Sequence, residues 1–236
     1  MNNARLDPDT QAKQSDSRLH GFSDAVFALS ATLLVVTLEV PRTYDELLDA
    51  VAGFPAFSIG FGMLVLIWYQ HRRIFNLYAL ADVWSIAVNS VLLFIVLLYV
   101  YPLKLLTEVF AERFLGAEQN VMADMGTDEV RGLFIIFGIG FAGVYAAFSG
   151  LLIRAWQQRD LLKLSPLERF DVRHEIFDFL MIAAVGLIST LAATASIGLS
   201  WGFPGWLYLL TPIITVVHQM VIAPRRRIIS TTTWHG

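Results

Sequence analysis

Asp24 stands about one turn inside an otherwise apolar stretch, within the segment Arg18-Leu-His-Gly-Phe22-Ser23-Asp24. A carboxylate in hydrocarbon costs several kcal/mol unless it is partnered, so such a group is a functional candidate by default. The stretch continues through Ala25, Leu29, Thr32, Leu33, Leu34, Val36 and Glu39 to Pro41. At about 100° per residue, Leu29, Leu33 and Val36 share one helical face, Thr32 borders it, and Asp24 lies about 140° from Leu29. Carboxylate and leucine stripe therefore face different surroundings.

Other chemistry-bearing residues are scattered. The chain has no cysteine, which excludes disulfides, thiolate metal sites and cysteine nucleophiles. Its five histidines, His20, His71, His174, His218 and His235, form no H-x-x-x-H pair, so spacing supports no zinc site. His71 is a candidate pH-responsive element, and His218 is expected to be hydrogen-bonded. Gly138-Ile-Gly140-Phe-Ala-Gly143 matches a dinucleotide-binding pattern letter for letter. That pattern requires a strand before it and a soluble βαβ unit. Here the small residues continue with Ala146 and Gly150 inside an apolar stretch, and they are read as permitting close helix approach. No convergent set of nucleophile, base and metal ligands is found, so no enzyme is expected.

The elements that position Asp24 follow from composition. Of 236 residues, 56% are hydrophobic and 16% charged, against about 25% charged in soluble domains. That balance marks a membrane protein. The 17 basic and 20 acidic side chains nearly cancel, so no basic surface points to a nucleic-acid partner. A hydrocarbon core needs about 20 apolar residues of helix. Six such stretches are expected, over 19–40, 54–70, 83–106, 132–153, 176–199 and 204–223. The second could start earlier, since Leu47, Leu48, Ala50 and Val51 extend its pattern past Pro55. The first is too long for a signal peptide and lacks a small-residue cleavage pattern, so it is expected to remain in the chain. The segments between spans are too short to bury a core of their own. The reading is an all-α, polytopic membrane protein forming a single domain over 1–236, bounded by membrane lipid.

Six spans place both termini on one side. Thirteen of the seventeen basic residues lie there, among them Arg72, Arg73, Arg154, Arg169 and Arg225 to Arg227. The positive-inside rule makes that side cytoplasmic. Arg225 to Arg227 most simply fix this orientation and could also meet anionic headgroups. Glu39, near the opposite end of the first span, reads either as an acidic ring attracting cations or as a side chain snorkelling to headgroups.

Arg18, Phe22, Ser23 and Asp24 reproduce the Arg-x-x-x-Phe-Ser-Asp signature of the TMEM175 family of potassium channels, and the first hundred residues resemble that family. Thr32-Leu33-Leu34, Pro41, Trp68-Tyr-Gln-His71 and Asn89 belong to the same resemblance. One departure is Ala25, where glycine is expected after the aspartate. The resemblance implies a bacterial plasma-membrane protein that assembles as a homotetramer, with the first helix of each subunit lining a central pore. It implies a potassium-selective cation channel with no cofactor, potassium being the permeant ion. It carries the apolar constriction to Leu29, with Leu33 and Val36 following, and a selectivity-related layer to Thr32. It assigns Arg18, Ser23, Asp24, Trp68, His71 and Asn89 to a network of interhelical hydrogen bonds, with Phe22 in the motif.

An apolar ring gates by dewetting and favours an ion that sheds water readily, which suits potassium over sodium. From spacing alone a leucine stripe on a membrane helix reads as lipid-facing or as bundle packing; the adjoining motif moves it to the pore. Asp24, off that face, reads as a structural anchor. The alternatives are a proton-permeable channel or a secondary transporter, the latter opposed by the lack of an evident inverted repeat or broken-helix pair.

Overall fold

A computed structural model describes residues 8–36, 42–52, 54–78, 80, 82–115 and 125–232. Every regular element among them is helical: α1 (Pro8–Val36), α2 (Tyr44–Ala52), α3 (Phe54–Tyr78), α4 (Val83–Leu115), α5 (Thr127–Gln157), α6 (Pro166–Thr194), α7 (Phe203–Trp206) and α8 (Leu210–Thr232). Short 3-10 turns occupy Leu199–Trp201 and Leu207–Leu209. Among the described residues four segments are long and apolar enough to cross a membrane, at 83–109, 127–157, 166–194 and 203–229. The bent pair α2 and α3, angled at 48°, makes a fifth if it is one span. The first expected span, 19–40, falls on α1, which is not among these segments, and runs into residues 37–40; these, Glu39 among them, and Pro41 lie outside the described residues.

Several helices overrun the expected spans because their ends are capped in polar sequence. Ser165 precedes α6, accepts from the Glu168 amide at 3.3 Å, and donates its own amide to the Glu168 carboxylate at 2.7 Å, with Pro166 at the first helical position. Thr43 and Glu46 make the same reciprocal pair before α2. Such boxes satisfy amides that a helix start leaves without partners. The sixth expected span begins instead with a broken approach. Ser196, Gly198 and Gly202 adopt φ of 56°, 61° and 76°, and a Cβ on Gly198 would meet Phe203 Cβ at 2.6 Å. The helix therefore resumes as a continuous element only at Leu210.

α5 is central, packed on α6 along one side and α4 along the other. A Cβ on Gly138 would fall 2.2 Å from Thr190 Oγ1 and 2.8 Å from the Gly186 carbonyl, while one on Gly186 would fall 2.9 Å from the Gly138 carbonyl. The two backbones thus touch directly, as small residues permit in membrane bundles. Gly140 and Gly143 admit Tyr99 and Ile95 of α4 in the same way. The dinucleotide-like string is a packing device facing two neighbours. Around it Tyr99, Phe137, Phe141, Tyr145, Phe148 and Phe179 form an aromatic ladder with successive centroids 4.8 to 6.2 Å apart, within the range where ring pairs attract.

Ion pairs gather one end of the bundle. Arg73 of α3 meets Glu175 of α6; Arg154 of α5 holds Asp82, just before α4, at 2.9 Å; Arg226 of α8 grips Asp171 of α6 through two bonds of 2.7 and 2.8 Å. Burial opposes ionisation of Asp82, but bonds from Ser85 and Arg154 outweigh it and hold the carboxyl below its ordinary value.

Candidate functional site

α1 has two contrasting faces. Ser23, Val26, Phe27, Ser30 and Leu34 are buried, with Leu34 only 1% exposed. They recur at helical spacing and turn toward α3 and α4. Both serines sit in apolar packing at little cost because each hydroxyl donates to a carbonyl one turn back, Ser23 to Leu19 and Ser30 to Val26, at 2.9 Å. The opposite face carries Phe22, Ala25, Ala28, Leu29, Thr32 and Val35, all exposed in the single chain.

Polar contacts lock the buried face in place. Trp68 of α3 donates its indole N–H to Asp24 Oδ1 at 2.8 Å. Asn89 of α4, wholly buried, donates its amide to Ser23 Oγ at 3.0 Å and receives His71 Nε2 at 2.7 Å on its carbonyl oxygen. With that oxygen as acceptor, His71 must carry its hydrogen on Nε2. The imidazole is stacked on Phe75, with centroids 4.6 Å apart, and tilted against Phe27 at 5.4 Å. Arg72 lies over the Trp68 ring, 5.4 Å from its centroid. Residues distant in sequence on α1, α3 and α4 are thereby fixed at one level.

The structure thus brings Ser23, Asp24, Trp68, His71 and Asn89 together. It leaves Arg18 exposed, with no hydrogen bond or ion pair to them among the described residues, and Phe22 is 59% exposed. On the opposite face Leu29 is 50% exposed. Thr32 is exposed too, its hydroxyl turned back to the Ala28 carbonyl at 2.9 Å. Leu33 sits half-buried at the edge of that face. The side chain of Val36 lies outside the described residues.

Three participants escaped the sequence reading: Phe27 and Phe75, which sandwich His71, and Arg72. A ring pair assembled from different helices leaves no spacing signal. A second polar cluster, Asp178 with His174 and His218, also went unnoticed as a unit, because one histidine lies on α6 and the other on α8.

Comparison with known proteins places this arrangement. A protein of Marivirga tractuosa named Potassium channel is 31% identical over 229 residues, which is 92% of each chain. This chain belongs to the TMEM175 family. The TMEM175 profile itself, described as endosomal/lysosomal potassium channel TMEM175, matches residues 18–99, from Arg18 through α2 and α3 into α4. A potassium channel of Chamaesiphon minutus is 28% identical over 173 residues, 70% of this chain and 75% of that one. Among solved TMEM175 structures, a variant of the potassium channel MtTMEM175 crystallised with a nanobody–MBP fusion superposes with a TM-score of 0.74 at 31% identity. It covers 88% of this chain and 93% of that one.

Proposed function

We propose that this TMEM175-family chain is a passive, potassium-selective cation channel, in which copies of the chain enclose a pore lined by the exposed face of α1. The observation that carries the reading is the division of α1. Its buried face is hydrogen-bonded into its own subunit, while an apolar and hydroxyl-bearing face, Leu29 and Thr32 among it, is left exposed by the described residues. A helix inside a membrane protein that is held so firmly on one side has its other side set for a defined task. A ring of leucines at Leu29 forms the constriction, where dewetting and partial dehydration discriminate between ions. Thr32, one turn on, offers a hydroxyl layer, with Leu33 and Val36 completing the wall. Ser23, Asp24, Trp68, His71 and Asn89 hold that wall.

Four copies, as the family resemblance implies, close such a ring with cyclic symmetry. Gly21, Ala25 and Ala28 border the exposed face, and small residues let helices approach closely about an axis. The ion-paired end of the bundle faces the cytoplasm with both termini, in a bacterial plasma membrane. The outward apolar faces of α6 and α8, with Leu187, Leu191, Val217 and Met220 exposed, meet lipid. Potassium is the permeant ion, and no cofactor takes part.

The test is potassium flux from liposomes reconstituted with the purified chain. Flux is expected, and Leu29→Ala is expected to raise leak and weaken discrimination against sodium. Verified reconstitution without flux overturns the reading. Reversal potentials under separate potassium and proton gradients distinguish potassium conduction from proton conduction.

A further inference from the structure

We propose that Asp178, His218 and His174 form a proton-binding array on a polar cavity between α3, α6 and α8, and that its occupancy regulates conduction through α3. The regulatory half rests on the conduction reading above; the proton site does not. The cavity has a volume of about 450 Å³ and opens among Gln70, Arg73, His174, Glu175, Asp178 and Gln219. Asp178 is only 5% exposed, inside a segment apolar enough to span a membrane. A buried carboxylate there needs partners, and it has two: Gln219 Nε2 donates to Oδ2 at 3.1 Å, and His218 Nδ1 donates to Oδ1. His174 Nδ1 lies 3.2 Å from His218 Nε2.

The geometry fixes the order of hydrogens. Asp178, ionised, accepts only, so His218 must carry a hydrogen on Nδ1. If His218 is neutral, its Nε2 accepts, and His174 must donate from Nδ1. His174 Nε2 is then the one imidazole nitrogen of the array whose lone pair accepts no hydrogen bond among the described residues, and His174 lines the cavity. A proton from cavity water adds there, leaving hydroxide to the buffer, and every bond of the array survives. Adding it to His218 Nε2 instead would set two N–H groups against each other. The array therefore takes one proton at its mouth, with the carboxylate charge behind it. Phe170 lies 4.3 Å from His174 and Phe177 5.2 Å from His218, ring to ring, faces that suit an imidazolium.

The surrounding charges are already committed. From α3, Arg73 is paired with Glu175, and Tyr78 also faces the cavity. From α8, Arg226 is paired with Asp171. From α6 itself, Glu168 caps the helix start at Ser165, and Arg173 adds positive charge beside His174. Asp171 precedes His174 by three residues on the same helix face, so an imidazolium competes with Arg226 for that carboxylate. Proton uptake thus loosens one tie between α6 and α8 and makes the cavity more positive beside Arg73. α3 is the wall between this cavity and the pore-holding network: Gln70 and Arg73 face one, Trp68 and His71 the other.

Two measurements decide the matter. In the full chain labelled with nitrogen-15 histidine in micelles, His218→Gln is expected to shift the His174 midpoint by about half a pH unit or more. Glutamine keeps an N–H for Asp178, so the fold is retained. An unmoved His174 midpoint overturns the array. In liposomes buffered equally on both sides, potassium flux is expected to differ about threefold between about pH 7.5 and about pH 5.5, across the imidazole range. His218→Gln is expected to abolish most of that ratio. An unchanged ratio overturns the regulatory role. No flux from the unmodified chain at either pH overturns the conduction reading, while the nitrogen-15 titration still decides the array.

Discussion

Trp68 of α3 donates its indole N–H to the carboxylate of Asp24 at 2.8 Å, tying α1 to its neighbour at the level where charge first enters the apolar stretch. The bond removes the main objection to an acid in that position. Asp24 is held by a donor that brings its own apolar surface, so anchoring costs little solvation.

Removing that donor has a measurable consequence. Trp68→Phe is expected to lower stability by about 0.5–2 kcal/mol, the range for interhelical bonds in membranes. Asp24→Asn, which keeps an acceptor, is expected to cost less than Asp24→Leu. Thermal unfolding in detergent ranks the three, and equal midpoints for Asn and Leu would show that the bond is idle.

Asn89 is expected to be the most sensitive network position. Asn89→Leu strands a buried His71 N–H, at about 1–3 kcal/mol for an unmet polar group, and removes the donor to Ser23 Oγ, whose own hydrogen stays on the Leu19 carbonyl. A double-mutant cycle with Ser23→Ala is expected to give a coupling of about 0.6 kcal/mol, read from the same unfolding midpoints.

Thr32 separates conduction from folding. Among the described residues its hydroxyl bonds only to the Ala28 carbonyl of its own helix, so Thr32→Val is expected to leave the unfolding midpoint within about 0.5 kcal/mol of the parent. Ion selectivity, measured from reversal potentials in potassium and sodium, is expected to change. Loss of stability without a change in selectivity would remove Thr32 from the pore wall.

The glycines of α5 predict opposite signs. Gly138→Ala drives a methyl into the Gly186 carbonyl and is expected to destabilise by about 1–3 kcal/mol. At Gly150 a Cβ meets only Val88 Cγ1 at 3.5 Å. There alanine is expected to be neutral or to stabilise by up to about 1 kcal/mol through helix propensity. Unfolding midpoints of the two variants test the pair.

Asp82 makes stability depend on acid. Its folded carboxyl lies below the ordinary value of 3.8 because Ser85 and Arg154 overcome the effect of burial. A depressed carboxylate contributes stability that is present above the unfolded value and is lost as pH falls through the folded one. The midpoint difference between the parent and Asp82→Asn is therefore expected to be full near neutrality and to shrink below about pH 4. A difference that stays constant to lower pH would exclude this ion pair as its source.

Much of the helical architecture was legible because hydrocarbon leaves few solutions: apolar length marks a helix, and charge distribution suggests an orientation. Ser23 and Asp24 stood out in the sequence because polar groups inside an apolar helix are costly enough to be conspicuous. Helix ends were less legible. α6 stops at Thr194 and helix resumes only at Phe203 because Ser196, Gly198 and Gly202 take left-handed conformations that hydropathy does not register. The pairing of His174 with His218 was invisible for another reason, since it depends on how α8 rotates against α6.

The direct contact of Gly138 with Gly186 has a mechanical consequence. With main chain against main chain there is no flexible side chain to absorb a slide, so α5 and α6 behave as one rigid strut. Relative motion of the helices is therefore expected where the joints are side chains, between that strut and the α1, α3 and α4 layer.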